Sequence, residues 1–326
     1  MCLKLPQPRF LNALFGLDCT ITRNGSGNHA GPKVKSGEVG RRVSLKQGLF
    51  CSIQKVYSQL SSRRAYSLYK NAEGREQIAK APSYNVVNVF LNREDVTPLL
   101  QNLLSLSAMP LKAVETDFAV DSSGFRTTCF GAYAEEKYSL QRVHKFIKAH
   151  AIIGVKTNVI TGVEVLEGNS ADSPQLPVLV ERTVEGGFIA KEVSADKAYS
   201  GRSNIEAIHA VGGTPYIPFK SNASGKSRGS SLWRKAFFFF QLHADKFFQH
   251  YHKRSNVESV FGAVKKKFGE TIKAKNPVAQ KNELLCKLIA YNVTVLIQEM
   301  FELGIKPDFS AQEVGGGSQS SLMSRL

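Results

Sequence analysis

The pattern of apolar and polar residues divides the chain into a helical first part and a strand-rich second part. Four runs between Leu49 and Leu106 have apolar residues at helical spacing: LFCSIQKVYSQL, SSRRAYSLYKN, PSYNVVNVFLN and DVTPLLQNLLSL. Residues 20–47 lack this periodicity and are rich in Gly, Ser and Lys. We interpret 1–48 as a flexible or misassigned N-terminal segment. We predict a small helical region over 49–110 that either binds DNA or serves as a packing or dimerising bundle.

From Lys112 onwards the pattern changes to short strand-like runs. AVETDFAVDSSGF alternates before a Ser-Ser-Gly turn, and KFIKAHAIIGVKTNVITGVEVLEG predicts two strands joined at 154–157. Two helical runs that end in glycine, SPQLPVLVERTVEGG and RSNIEAIHAVGG, then alternate with the strand-like FIAKEVSAD and TPYIPFK. The order β-β-β-α-β-α-β-α predicts a mixed α/β sheet whose first three strands form a meander. We expect residues 301–326 to form a disordered tail.

The positive charge is concentrated in two regions. The net charge is +16, and residues 219–281 hold 14 Lys and Arg against 3 acids, while residues 1–110 hold 15 against 6. Clustered basic residues favour nucleic acid, because they neutralise phosphates and release counterions. The five cysteines have no C-x-x-C spacing, which argues against a zinc site and a disulfide framework and fits a reducing cytoplasm. We expect no transmembrane segment.

Two aspartates follow strand-like runs. Asp121 alternates onto the same face as Glu115 and Asp117, but Asp-Ser-Ser-Gly is also an ordinary turn sequence, so by itself Asp121 is interpreted as a turn residue. Asp196 ends the run FIAKEVSAD. Ligands and catalytic groups collect at the carboxyl ends of strands in open α/β sheets, although an aspartate there also caps turns.

Glu258 is an isolated acid in the basic stretch 219–281. On one continuous helix, Tyr251, Arg254, Glu258 and Lys265 share a narrow face. An apolar stripe lies beside that face, formed by Val257, Val260, Phe261, Val264 and Phe268. An i,i+4 ion pair between Arg254 and Glu258 is the simpler interpretation, but it leaves Tyr251 and Lys265 on the same face unexplained.

These residues resemble a known family. The spacing Y-x2-R-x3-E-x6-K is the signature around the third acid of the DDE transposases of bacterial insertion sequences, and all four positions match at Tyr251, Arg254, Glu258 and Lys265. FAVDSSGF and SADKAYSG resemble the segments that bear the first and second aspartates of that family. LIAYNVTVLIQ resembles its closing helix, with Asn292 in the usual place. The resemblance implies an RNase H-like mixed five-stranded sheet flanked by helices over 111–300. Asp121 is then expected on the first strand, Asp196 beside the fourth, and Glu258 on a helix against the sheet.

The resemblance also implies a chemistry. Asp121, Asp196 and Glu258 are expected to be the catalytic residues and the ligands of two Mg²⁺ ions, with Mn²⁺ tolerated. Water would free a 3′-OH at each element end, and that 3′-OH would attack target DNA. Tyr251, Arg254 and Lys265 would contact phosphates near the cut end. A nonspecific phosphate track would extend over Lys266, Lys267, Lys273 and Lys275. The expected partner is double-stranded DNA, bound by a homodimer or higher multimer in the cytoplasm at the nucleoid.

Several alternatives stay open on sequence grounds. Asp117 competes with Asp121 as the first acid, and Asp172 is predicted to cap the helix that follows it. Trp233, in the run WRKAFFFF, is expected to pack in a core, with stacking on a flipped base as the alternative. A catalytically inactive DNA-binding relic and a nuclease on the same fold are the alternative functions.

Overall fold

The computed structural model describes residues 43–127, 146–226 and 229–307. The predicted flexible N-terminal segment lies outside the described residues except for 43–48. Residues 308–326 of the predicted tail also lie outside them.

A small group of helices comes first. It consists of α1 (Leu45–Ser58), α2 (Ser62–Gly74), α3 (Tyr84–Leu91) and α4 (Val96–Ala108). The four helices coincide with the four predicted runs. The first begins at Leu45 rather than Leu49, because the Ser44 hydroxyl accepts a hydrogen bond from the Gln47 amide at 3.3 Å and caps the helix.

One mixed sheet follows. Its strands are β1 (Asp117–Arg126), β2 (Phe146–Gly154), β3 (Ile160–Glu167), β4 (Glu192–Ala195) and β5 (Thr214–Tyr216). Their order in the sheet is β3-β2-β1-β4-β5. The first three strands form an antiparallel meander, and β4 pairs in parallel with both β1 and β5. This confirms the predicted α/β fold, an RNase H-like mixed five-stranded sheet flanked by helices and preceded by a helical region.

Strand β1 is longer than its turn residues suggested. Asp121 pairs with Ala151, Ser123 with Ala149 and Gly124 with Lys148, so Asp-Ser-Ser-Gly lies inside the strand. The interpretation of Asp121 as a turn residue is therefore wrong. The ladder to β2 satisfies the backbone of these residues, and this pairing outweighs their local preference for a turn.

The remaining helices cover the sheet and complete the core. They are α5 (Gln175–Glu185), α6 (Arg202–Ala210), α7 (Ser231–Leu242), α8 (Ala244–Tyr251), α9 (Ser255–Phe268) and α10 (Pro277–Glu302). Among the described residues, α10 alone is long and apolar enough to cross a membrane, and most of its apolar stretch is buried inside the protein. Its Asn292 is fully buried and holds β3 through hydrogen bonds to both backbone groups of Ile160, at 3.0 Å to the amide and 2.7 Å to the carbonyl.

Helix α7 adds a small aromatic cluster beside α6. Trp233 is buried and donates its indole N–H to the Ser224 carbonyl at 2.9 Å, while Phe219 contacts its ring edge-on. The guanidinium of Arg202 lies 4.5 Å from the centre of the ring. The expectation of core packing for Trp233 is confirmed in this structure.

Candidate active site

Asp121 and Asp196 lie at equivalent positions on two neighbouring parallel strands. The pairing of β1 with β4 runs through Val120 and Ala195, and each aspartate is the next residue of its chain. Side chains at matching positions of parallel neighbours project from the same face. The sheet therefore places two carboxylates side by side where β4 ends, which is the edge where α/β sheets hold their ligands.

The two aspartates are held differently. Asp196 begins a short 3₁₀ turn (Lys197–Tyr199), and its side chain accepts a hydrogen bond from the Lys197 amide at 2.6 Å. The turn-capping interpretation is thus confirmed, and the cap uses Oδ1 of the carboxylate. Asp121 accepts the Ser122 amide at 2.8 Å through Oδ1.

Glu258 lies in the first turn of α9, which packs on the sheet by its apolar face. The predicted stripe is buried throughout, at Val257, Val260, Phe261, Val264 and Phe268. The assumption of one continuous helix is wrong, because a 3₁₀ turn (His252–Arg254) separates α8 from α9. Tyr251 ends α8, so it does not share a helix face with Glu258.

Arg254 joins the first and third acids. Its Nη1 donates to Asp121 Oδ2 at 2.6 Å, and its Nη2 donates to Glu258 Oε1 at 2.9 Å. The side chains of Arg254 and Asp121 are 17% and 21% exposed, whereas Glu258 is 64% exposed. The i,i+4 ion pair is therefore present, but as one half of a bridge that reaches the sheet.

The electrostatics follow from this arrangement. Burial raises the pKa of Asp121, the Ser122 amide and the Arg254 charge oppose the rise, and the neighbouring Asp196 adds to it. Burial lowers the pKa of Arg254, but Asp121 and the Tyr251 hydroxyl outweigh it and hold that pKa above its usual value. Arg254 thus remains a cation between two acids.

The three acids do not converge into a ready-made metal cage. In the parts of the chain that the structure describes, no three His, Cys, Asp or Glu side chains lie close enough together to hold a metal ion. The donor set nevertheless fits a hard divalent cation, since Asp121 and Asp196 present adjacent carboxylate oxygens and Glu258 is held close by through Arg254.

A second pair of acids occupies the opposite end of the same two strands. Asp117 and Glu192 are register partners, and Lys253 Nζ bridges them at 2.7 Å to each. His250 Nδ1 lies 2.9 Å from Glu192. Adjacent residues of the turn before α9 thus bind opposite ends of the β1–β4 pair. Asp117, the alternative first acid, is committed to Lys253 in this structure.

Asp172 does not cap the next helix, so that prediction is wrong. Pro174 occupies the cap position of α5, and the Asp172 carboxylate turns to the sheet instead. It accepts the Ser122 hydroxyl at 3.2 Å, pairs with Lys148 and lies 3.4 Å from Nδ1 of the buried His150. Two cationic or protonatable partners on β2 outweigh the local capping preference.

The predicted DNA-contacting residues have different surroundings in the structure. Tyr251 packs among the aromatic rings of α8 and lies beside Arg254. Lys265 extends over the Phe125 ring of β1 at 5.3 Å, and Lys266 is exposed. Arg254 differs from the expectation, since here it binds two carboxylates with the nitrogens that were expected to meet phosphate.

Sequence reasoning missed two features of the site. The bridging role of Lys253 could be recognised only after the sheet register placed Asp117 opposite Glu192. The partners of Asp172 lie on β1 and β2, distant in sequence. The one sequence signal for these contacts was the strand-like alternation around Ser122 and around Lys148.

Comparison with known proteins identifies the family. The model described as "Transposase DDE domain" matches residues 112–293, more than half of the chain, and this range includes Asp121, Asp196 and Glu258. No curated protein and no solved structure matches the chain. The matched range begins just before β1, ends within α10 and contains the whole sheet. The chain belongs to the transposase DDE domain family.

Proposed function

We propose that the protein is a transposase of a bacterial insertion sequence, of the group with the Y-x2-R-x3-E-x6-K signature, and that it cuts DNA at the element ends. The observation that carries this proposal is the adjacency of Asp121 and Asp196 where the pairing of β1 with β4 ends, with Arg254 linking Asp121 to Glu258. Family membership independently implies DNA as the partner.

Asp121, Asp196 and Glu258 are the proposed catalytic residues and metal ligands. Two Mg²⁺ ions, or Mn²⁺, would polarise the attacking and leaving oxygens of the phosphodiester. Asp121 and Asp196 supply a fixed edge for this site, because the sheet register sets their spacing. Glu258 supplies the adjustable third ligand, because its side chain is 64% exposed and pairs with Arg254, which in turn binds Asp121.

The reaction has two steps at the same carboxylates. In the first, water attacks the phosphorus at an element end, the P–O3′ bond breaks, and a 3′-OH and a 5′-phosphate result. In the second, that 3′-OH attacks a phosphodiester of target DNA and displaces a new 3′-OH. Tyr251, Arg254, Lys265 and Lys266 would hold the phosphates that flank the cut. The positive charges of Arg254, Lys265 and Lys266 offset the repulsion between the acids and DNA.

The arrangement of the chain supports a division of labour. We propose that the helical region 49–110 assists DNA binding, that 111–300 is the catalytic domain and that 1–48 and 301–326 lie outside both. We further propose that the enzyme acts as a homodimer or higher multimer on double-stranded DNA, in the cytoplasm at the nucleoid. Two element ends must be cut and joined together, which favours more than one active site.

A plasmid that carries the DNA flanking this gene tests the proposal. Purified protein and Mg²⁺ should cut it at two fixed boundaries and leave 3′-OH ends, and Glu258→Gln should not. Joining of those ends to a second plasmid would establish transposition. Cutting without joining would favour a nuclease, and binding without cutting would favour an inactive relic.

A further inference from the structure

A basic cleft lies between the helical region and the catalytic domain. It has a volume of about 370 Å³, and its walls come from α1, α3 and the segment between α9 and α10. Lys55 projects from α1, and Lys273 and Lys275 lie on the opposite wall. We call these three residues and the space between them the lysine cleft. Its volume falls in the usual range of ligand sites, roughly 300–1,000 Å³.

The one acid in the cleft wall is already committed. Glu283 accepts the backbone amides of Lys273 at 3.0 Å and Ala274 at 2.8 Å, and so fixes the segment before α10. Lys287 supports the same segment by donating to the carbonyls of Gly269 and Thr271. These two residues build the wall, whereas the three lysines of the cleft present their charges to it.

The charges of the lysine cleft lack a counter-ion within the part of the chain that the structure describes. Lys55 Nζ donates to the neutral Asn88 side chain at 2.9 Å, and Lys273 Nζ lies 3.4 Å from the Gln59 carbonyl. None of the three has a carboxylate within ion-pair distance among these residues. Burial lowers the pKa of Lys55, and Lys273 adds to this, against the opposing charge of Glu283. Lys55 is half-buried and Lys273 and Lys275 are exposed, and the repulsion between Lys55 and Lys273 would be relieved by an anion bound between them.

The rim of the cleft offers further attraction for an anion. Helix α2 begins at Ser62 on this rim, and its N-cap residue Ser61 makes no side-chain capping bond. The first amides of a helix and its positive end favour a phosphate. The start of α2 and the lysines therefore both favour the binding of an anion in the cleft.

We propose that the lysine cleft binds a phosphate of the DNA backbone at a distance from the cut. Its wall includes Phe268, ten residues beyond Glu258 in α9, which is ~15 Å along the helix. Lys265, Lys266 and Lys267 follow the same helix between the two sites. At ~3.4 Å of axis per nucleotide, the cleft would take a phosphate roughly four to five positions from the cut. This inference rests on the proposed DNA substrate.

The salt dependence of DNA binding tests the cleft without any cleavage. Binding of a fluorescent duplex, followed by anisotropy across a salt series, should lose up to about one unit of slope for Lys55→Gln, and no more than about one for Lys273→Gln combined with Lys275→Gln, because the cleft holds one phosphate. The loss should be equal on an element-end duplex and a random one, because phosphates carry no sequence. Lys55→Arg should retain the wild-type slope, and Lys191→Gln, at an exposed lysine before β4, is the matched control.

Each outcome decides the matter. The cleft proposal is overturned if both Gln variants keep the wild-type salt slope. It is also overturned if Lys191→Gln lowers the slope as much as they do. Circular dichroism melts guard against misfolding, and a variant that melts early is replaced by Lys273→Gln alone. If neither the wild type nor any variant cuts DNA, but the cleft variants show a reduced salt slope, then the cleft proposal stands and the catalytic proposal fails. If the wild type cuts DNA and the variants keep the wild-type salt slope, then the catalytic proposal stands and the cleft proposal fails. Absence of duplex binding by the wild type overturns both.

Discussion

Arg254 donates a 2.6 Å hydrogen bond to Asp121, from a turn that precedes the helix of Glu258. The same guanidinium binds Glu258 at 2.9 Å, so one cation neutralises two of the three proposed metal ligands. The basic surroundings of Glu258 therefore include a cation that pairs with it directly.

We expect Arg254→Ala to destabilise the protein in the absence of metal. The Asp121 carboxylate, 21% exposed, would lose its counter-ion and lie beside Asp196 with only its backbone hydrogen bond. Loss of a charged hydrogen bond of this kind costs about 1–3 kcal/mol of unfolding free energy. Mg²⁺ should recover more stability in the variant than in the wild type, because a cation replaces the missing guanidinium. Urea unfolding with and without Mg²⁺ measures both effects.

The matched control for this change is Arg64→Ala, at an exposed arginine of α2. It should leave the unfolding free energy and the response to Mg²⁺ as in the wild type. An Arg254→Ala variant as stable as the wild type without metal would show that the bridge does not stabilise the site.

A second prediction separates the two candidates for the first acid. Asp121→Asn and Asp196→Asn should each reduce DNA cleavage by at least a hundredfold and leave duplex binding largely intact. Asp117→Asn should retain cleavage, because Asp117 lies at the start of β1 and binds Lys253. The measurement is a single-turnover cleavage assay beside a binding assay on the same duplex. Loss of cleavage only in Asp117→Asn would transfer the role to Asp117.

The mixed sheet and the order of its strands and helices along the chain followed from the sequence, because strand and helix periods differ clearly in residues 111–218. The local pattern alone did not place Asp121 in a strand, although the family resemblance did, because Ser123 and Gly124 favour a turn locally and the ladder to β2 makes them a strand. The 3₁₀ turn before α9 could not be predicted from the sequence either, because the residues around His252 are compatible with a continuous helix. Asp172 shows the same limit, because its partners on β1 and β2 are distant in sequence.

A third prediction concerns pH and the buried His150. Burial lowers the pKa of His150 below its ordinary value of 6.5, with Lys148 acting in the same direction and Asp172 opposing. As the pH falls below the unfolded pKa, the unfolded chain binds a proton that the folded one resists. Stability is therefore lost on acidification. His150→Gln should lose less stability than the wild type between about pH 7.5 and about pH 5.5.

Chemical denaturation at several pH values measures this difference. His252→Gln, at an exposed histidine, should keep the wild-type pH dependence. If His150→Gln instead loses as much stability on acidification as the wild type, then the titration lies elsewhere.

A fourth prediction concerns the core helix. Asn292→Leu should lower the unfolding free energy by about 2–4 kcal/mol, because the amide and carbonyl of Ile160 would lose buried partners. Asn102→Leu, at an exposed site of α4, should change it little. Equal stability of the two variants in urea would contradict a structural role for Asn292.

The central claim is that Glu258 joins Asp121 and Asp196 to hold two divalent ions. The most direct test counts the Mn²⁺ ions bound per protein chain in the complex with an element-end duplex, by electron paramagnetic resonance. The account predicts two ions for the wild type and fewer for Glu258→Gln, with duplex binding retained in both. Two ions in both proteins would contradict a ligand role for Glu258 and leave it only as the partner of Arg254.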